Sequence, residues 1–310
     1  MTDTAVTDTA VTDPARIDPA RIDPARIDRA TPEAATTDEA VTTDEAAIRD
    51  AAWAHARRAA ESCGVDVRVL GGADVAAAQA VVRDAWGPGQ VPQGVLLQAL
   101  SHAGNAVVAA VRGERPVGVA FGFLGWSGGL HLHSHMTAVA RRERSRGIGL
   151  ALKSWQRALC LDNGITEMRW TYDPLIARNA YFNLVKLGAG VQAFFPDFYG
   201  AMDDNVNCGD HSDRFEVSWQ LASPRARAAL ERRERSAPGA GQAVAVPADF
   251  DALRRSDAAA ARAVRMAARE RFTTLFADGL RPDWAEHGYV FTRASVGAEQ
   301  QAARIGAARG

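Results

Sequence analysis

The sequence predicts an α/β protein. Three observations carry that reading. Strand-like and helix-like segments interleave from about residue 48 onward, three apolar strand-like runs follow one another over 106–139, and a turn of arginines and glycines at 140–149 leads into an apolar helical pattern. The chain has 310 residues, enough for one large domain or two small ones with a real core.

The first thirty residues repeat with a period of five, and Asp recurs at 3, 8, 13, 18, 23 and 28. That period fits neither helix nor strand, and Pro14, Pro19 and Pro24 oppose a helix. Residues 1–43 therefore read as a disordered low-complexity tail. A helix then runs to Gly64, with Asp44 as cap and Ile48, Ala52 and Ala56 on one face. VDVRVL (65–70) alternates as a strand, and 73–87 is helical with Val75, Val82 and Trp86 inward. A short helix covers 94–104. Residues 106–126 form a hairpin around Gly-Glu-Arg-Pro, and 129–139 is a further strand. The glycine turn opens a helix over 147–163, followed by a strand at 167–173, a helix at 177–187, and strands near 191–198 and 214–221. Residues 44–222 thus make the body, with Trp126, Trp170 and Trp219 read as core. Residues 223–242 read as a polar helix and linker. Residues 243–310 read as an α/β extension packed on the body: a strand AVAVP, a helix over 249–277 and a strand GYVFTR.

Charge is uneven. Residues 1–50 carry about −7 and the remainder about +6, a balance too mild to indicate nucleic acid but compatible with an anionic ligand. Cys63, Cys160 and Cys208 are odd in number and widely spaced, which fits neither a disulfide framework nor a zinc knuckle. No apolar run reaches the length of a membrane span. The expectation is a soluble cytoplasmic protein with neither nucleic acid nor membrane as partner.

The stretch ARRERSRGIGLAL (140–152) carries the chemistry. Amides at a helix start point outward unpaired, the helix dipole adds positive potential, and glycines let a ligand approach the backbone. Together these make a phosphate cradle. Neither the dinucleotide G-x-G-x-x-G with its later acid nor a Gly-Lys-Ser/Thr loop is present. Arg144-x-x-Gly147-x-Gly149 after a strand ending in Val139 resembles the pyrophosphate motif of the GNAT superfamily of acyl-CoA-dependent N-acyltransferases, and the element order over 65–222 is similar too. The stretches SHMTAV, WTYDPLIARNAYFNLVKLG and YGAMDDNVNCGDHSDRF resemble a subgroup of that superfamily with a C-terminal extension. The resemblance implies a mixed, mostly antiparallel sheet whose fourth and fifth strands splay apart. It also implies acyl-CoA as co-substrate, acetyl-CoA or succinyl-CoA, with no metal. Backbone amides of Ser145, Arg146, Gly147, Ile148, Gly149 and Leu150 would hold the pyrophosphate. Arg141, Arg142, Arg144 and Arg146 would surround it, and Asn179 would meet the pantetheine arm. By position, the Thr137–Val139 backbone would polarise the thioester carbonyl.

The catalytic groups are less defined. His131, His133 and His135 alternate on one strand face; they fit a metal site, a structural role, or an acceptor pocket in which His135 acts as base or orienter. Asp173 either caps the following helix or orients an amine. Leu184 stands where the resemblance implies a tyrosine acid, so Tyr172, Tyr181 or Tyr199 has to replace it, and Tyr199 is the chosen candidate. In the polar loop 196–214, Asp203, Asp204, Asp210 and Asp213 suit a cationic amine and Arg214 a carboxylate. The expectation is direct acyl transfer to the primary amine of a small metabolite, an amino acid included. The rival is a non-catalytic acyl-CoA-binding or regulatory module, which Leu184 favours. Oligomeric state stays open, with a homodimer as one option. If the tail is functionless, deleting residues 1–43 leaves the melting temperature and CoA affinity unchanged; a shift of several degrees in a thermal melt would show that it packs on the body.

Overall fold

The computed structural model describes residues 35–200, 210–233, 235 and 237–293, with side chains from Asp44 onward. The repeats read as disordered, and Asp203, Asp204 and Cys208, lie outside the described residues. Residues 1–43 and 44–310 are separate units. In chain order the elements are α1 (Ala35–Ser62), β1 (Asp66–Val69), α2 (Val75–Trp86), α3 (Gly94–His102), β2 (Val108–Arg112), β3 (Arg115–Gly125) and β4 (His131–Val139). Then come α4 (Ile148–Asp162), β5 (Glu167–Tyr172), α5 (Ala177–Ala180) running into a π-helical turn (Tyr181–Lys186), β6 (Gly190–Phe195) and β7 (Arg214–Gln220). The chain continues through α6 (Pro224–Leu230), β8 (Gln242–Ala245), α7 (Phe250–Ser256), α8 (Ala258–Ala277), β9 (Leu280–Ala285) and β10 (Gly288–Arg293). Among the described residues no helix is long and apolar enough to cross a membrane.

Seven strands form one sheet in the order β1-β2-β3-β4-β5-β7-β6. Neighbours are antiparallel except β4 and β5, which run parallel and share only two register pairs, Leu132–Met168 and His133–Arg169. Beyond Arg169, β5 continues along β7 while β4 keeps to β3, so the two strands part. One parallel pair that opens into a gap inside an otherwise antiparallel sheet, with helices on both faces, is the arrangement the resemblance implies.

Apolar periodicity explains the layers. On one face Ala60 of α1, Cys63 just after it, and Ile148, Ala151 and Leu152 of α4 pack on Val108, Ala110 and Val117. On the other, Ala78, Val81, Val82 and Ala85 of α2 meet Val107, Val119 and Phe121. Gly118 lets the first turn of α4 press onto β3, since a Cβ there would stand 2.8 Å from Ile148 Cγ2.

The C-terminal extension is a three-stranded sheet, β8-β10-β9, with α7 and α8. Phe272, Leu275, Trp284, Tyr289 and Phe291 join the same buried cluster as Phe215, Val217 and Trp219 of the body. Burying an aromatic or aliphatic side chain of this size contributes about 1.5–3 kcal/mol. Four readings are corrected. The helix expected over 249–277 breaks at Asp257 (φ −148°, ψ 90°), whose carboxylate caps α8 through the Ala260 amide. β9 was not anticipated, because Pro282 and flanking charges obscure its alternation; Pro282 stands opposite Phe291. α1 starts at Ala35, upstream of the Asp44 cap. Trp126 is 79% exposed rather than core, whereas Trp170 and Trp219 are buried.

Asp173, the residue after β5, is buried. Both its oxygens accept from Arg265 of α8 at 2.8 Å, and one also caps the Leu175 amide at 2.9 Å. Burial alone would push its carboxyl up, but the Arg265 hydrogen bonds and charge prevail and hold it below the usual range. A depressed carboxyl contributes stability that is fully present above its unfolded value and is lost as pH falls through the folded one. Arg265→Met leaves Asp173 buried without its partner. The variant should lose about 3–5 kcal/mol in chemical denaturation at neutral pH, and its acid unfolding should begin at higher pH.

Candidate functional site

The gap between β4 and β5 has two approaches. On the α4 side the chain leaves β4, makes one tight turn at 141–143 and enters α4. Ser145 (φ 63°) and Gly147 (φ 91°) both take left-handed backbone, a cost Gly147 escapes and Ser145 does not. Alternating conformations of this kind turn successive amides inward as an anion nest. Ile148 and Gly149 lie in the first helical turn, where amides have no carbonyl behind them. Leu150, in contrast, donates to Gly147 O at 2.9 Å, so this amide of the expected set is already engaged. A Cβ on Gly149 would meet only Phe182, at 4.0 Å, and otherwise the open space in front of the amides.

Two of the four arginines act differently from expectation. Arg141 donates from its backbone to the Asp84 carboxylate and from Nε to Asp84 O, both at 2.7 Å. Arg144 reaches Ala85 O at 3.0 Å and Val139 O at 3.4 Å. Both guanidinium groups therefore bind the carbonyl end of α2, where a helix attracts cations, and fasten the turn in place. Arg146 is exposed and approaches Glu143 at 3.5 Å, which Arg112 also holds at 2.5 Å. Arg142 is exposed.

The turn opens onto a cleft of about 1020 Å³, walled by Val139, Ser145, Gly147 and Gly149 on one side and by Tyr181, Phe182 and Leu184 of the π-helical turn on the other. Arg144, Lys186, Arg225, Arg232, Arg233 and Arg235 line the same cleft. Arg225, Arg232, Arg233 and Arg235 belong to the segment read as a polar helix and linker, and nothing in their spacing indicated this site; only a concentration of arginines over 225–235 hinted at an anion. Arg225 and Arg235 share Asp283 at 3.0 and 2.7 Å, and Arg233 is 71% exposed beside Glu231. Asn179 is half-buried on α5 and is not among the cleft-lining residues.

Backbone direction defines the gap itself. Ala140 donates to Val117 O across β3 at 2.9 Å, and Ala138 stands opposite Val119. Antiparallel alternation then points the N–H groups of Thr137 and Val139 away from β3, toward the space β5 has left. A bulge accompanies this: Phe121 pairs with Met136 and Phe123 with His133, so Ser134 and His135 together oppose Gly122. Gly122 is obligatory there, because a Cβ would lie 2.7 Å from His133 O.

On the α2 side of the gap, His133 and His135 stand 5.9 Å apart, tilted against Phe123 at 5.1 and 5.8 Å, with Phe121 5.4 Å from His135. Burial, helped by His135, His131 and Lys153, lowers the His133 pKa to about 4; partial desolvation also lowers that of His135. Both imidazoles are therefore neutral proton acceptors near pH 7. His131 is buried, with Nδ1 2.8 Å from Gly129 O. Among the described residues no group of three or more His, Cys, Asp or Glu is disposed to hold a metal ion. Tyr199 approaches Thr171 Oγ1 at 3.3 Å and has Arg214 5.4 Å from its ring. Tyr172 is buried against Tyr289 at 3.2 Å, its pKa raised by burial.

The described acids among those expected to meet an amine are used internally. Asp173 and Asp210 both bind Arg265, and Asp213 binds Arg269 at 2.6 Å. Arg214 is buried and donates to Asp213 O.

No protein-family model and no curated protein matches the sequence. Among solved structures the chain is similar to Ard1 from Thermoplasma volcanium, at 18% identity over 50% of this chain and 96% of that one, TM-score 0.40. It is also similar to the ribosomal-protein-S18-alanine N-acetyltransferase from Escherichia coli (13% identity, 51% of this chain and 95% of that one, TM-score 0.42). A GNAT superfamily phosphinothricin acetyltransferase from Sinorhizobium meliloti, in complex with AcCoA, is similar at 15% identity over 50% of this chain and 87% of that one, TM-score 0.41.

Proton NMR of the imidazole signals should find His133 untitrated between about pH 5 and 8, with its midpoint near 4. A midpoint near the ordinary value would mean that the ring is solvated and the face open.

Proposed function

We propose that the protein is an N-acyltransferase that moves an acetyl or similar acyl group from acyl-CoA to a primary amine of a small molecule by direct transfer. The observation that carries this reading is the nest of amides at Ser145–Gly149, opening on a cation-rimmed cleft that reaches Val139 at the end of β4. The residues fit the ligand: amides and an uncrowded Gly149 suit a pyrophosphate, and Lys186, Arg232 and Arg233 suit a further phosphate. The bound thioester supplies an activated carbonyl.

The chain's own groups support the rest. The amides of Thr137 and Val139 are free of β3 and available as donors to a carbonyl oxygen. Neutral His135, with His133 beside it, can accept a proton from the acceptor amine. Of the tyrosines that could replace the acid absent at Leu184, Tyr181 lines the cleft and Tyr199 stands over β5. Arg214 beside Tyr199 supports an acceptor that also carries a carboxylate, an amino acid among them; the paired states of Asp210 and Asp213 remove their support for recognising its amine.

Calorimetric titration tests this. Gly149→Val should fold like the parent and lose measurable CoA binding, because several charge-assisted hydrogen bonds, each about 1.5–3 kcal/mol, are blocked together. Arg233→Ala should weaken CoA but not dephospho-CoA, increasingly at low salt. If Gly149→Val binds CoA like the parent, the glycine turn is not the phosphate site and the reading fails.

A further inference from the structure

Lys153 is one of two lysines in the chain and is 4% exposed. It projects from the second turn of α4 into the fork where β4 and β5 separate. Its Nζ donates to Ser134 Oγ at 2.7 Å and lies 3.8 Å from the centre of the Trp170 ring. Ser134 is the first β4 residue past the last β4–β5 pair, and Trp170 the first β5 residue past it. Ser134 is also part of the bulge, and its hydroxyl donates to Gln156 at 2.9 Å. Trp170 is pinned from the π-helical turn by Asn183, at 3.2 Å. Among the described residues no carboxylate pairs with Lys153. A buried ammonium without a counter-charge costs stability, and a fold keeps one where its contacts matter more than its cost.

We propose that Lys153 is a positioning residue of the acyl-transfer site: its ammonium joins the β4 bulge to the face of Trp170 and so sets the width of the gap and the aim of the Thr137 and Val139 amides. This rests on the reading of the protein as an acyltransferase. The ammonium acts through Ser134 and Trp170, not by touching substrate. Burial lowers its pKa to about 7, opposed by the Cys160 thiol of α4. The titratable groups facing it are Cys160 and, from β4, His133. Deprotonation removes the charge that holds the Trp170 face, so the Lys153-dependent part of the rate is present below about pH 7 and fades above it.

The test compares the parent with Lys153→Met, Lys153→Arg and Ser134→Ala. Calorimetry measures CoA binding, thiol release from acetyl-CoA with an amine panel measures turnover, and 13Cε-lysine NMR follows the two lysine signals. In Lys153→Met, CoA affinity and the KM for acetyl-CoA should stay within about threefold, since the cradle is made by other residues, while kcat falls about tenfold or more. The melting temperature should hold or rise, because a buried unpaired charge is gone; a merely structural lysine would lower it. Ser134→Ala should reproduce much of the kcat loss without adding to that of Lys153→Met, and Lys153→Arg should recover part of it. The lysine signal absent from Lys153→Met should titrate near 7, and the parent's kcat should lose in that variant the limb that falls with the same midpoint. A parent that neither binds CoA nor releases thiol overturns the acyltransferase reading and this inference with it. A parent that does both, with Lys153→Met turning over at the parental rate or losing melting temperature and kcat together, overturns the inference alone.

Discussion

The parting of β4 from β5 after two register pairs is the constraint on which the site depends. It is enforced from both ends of the fork. At the closed end Arg169, fully buried on β5, donates to Ser127 O and Gly128 O of the β3–β4 turn while Glu167 neutralises it, so the strands are clasped there. Past Arg169 the loyalties divide: Trp170, Thr171 and Tyr172 find their partners on β7, and the β4 residues find theirs on β3. Backbone donors facing an emptied strand position are costly when buried, so a sheet keeps such a defect only if something else satisfies them. A carbonyl-bearing ligand is one way to do that. The orientation of α4 follows from the same geometry, because Gly118 lets its first turn close on β3 and the arginine turn then presents its amides at the open end of the fork.

The arginines show what a one-dimensional reading can and cannot resolve. That positive charge, glycines and a helix start coincide at 140–149 is a local fact, and so was legible. Which arginine serves which purpose is decided by tertiary neighbours. Arg141 and Arg144 lie within reach of the carbonyl end of α2, some sixty residues earlier, and are consumed there. The cleft, which Arg144 also lines, draws its other arginines from a stretch that composition marked as a polar helix and linker. A guanidinium satisfies helix carbonyls as readily as phosphates, so residue type alone could not separate the two duties. Element order and the strand boundaries from β1 to β7 were legible for the opposite reason: apolar periodicity and turn glycines are local signals. The π-helical turn was not, because a single widened turn keeps the helical pattern of apolar residues.

The C-terminal extension repeats the lesson with acids. Asp173, Asp210 and Asp213 in sequence look like a surface prepared for an amine. In the fold they form a lattice with Arg265 and Arg269, spaced four apart on α8 and so on one face of it. A usable signal existed, since Arg265 and Arg269 fall on the same helical face as the apolar Phe272 and Phe276, and a guanidinium on a core-facing stripe asks for carboxylates beneath it. The consequence is mechanical. The end of β5 and the loop leading into β7 are fastened to α8, and Arg214 and Tyr199 beside them are held by a scaffold most of whose residues lie some fifty positions downstream.

What remains at the gap once these pairs are assigned is an imbalance of charge. Burial lowers the pKa of Lys153 on one side of β4 and of His133 on the other, and the Lys153 charge lowers that of His133 further. Among the described residues no carboxylate forms an ion pair with either. Negative charge arriving in the gap would therefore meet the Lys153 ammonium, present below about pH 7, in a medium of low dielectric, where it counts for more than in water. Negative charge that develops only during reaction, on a carbonyl oxygen or a departing sulfur, is stabilised by such a site more than a neutral ground state is. Differential stabilisation of that kind distinguishes a catalytic gap from a mere binding groove. For the proposed acyl transfer, Leu184 in place of a tyrosine is then less damaging, since a leaving thiolate that is electrostatically stabilised depends less on a proton donor fixed at one position.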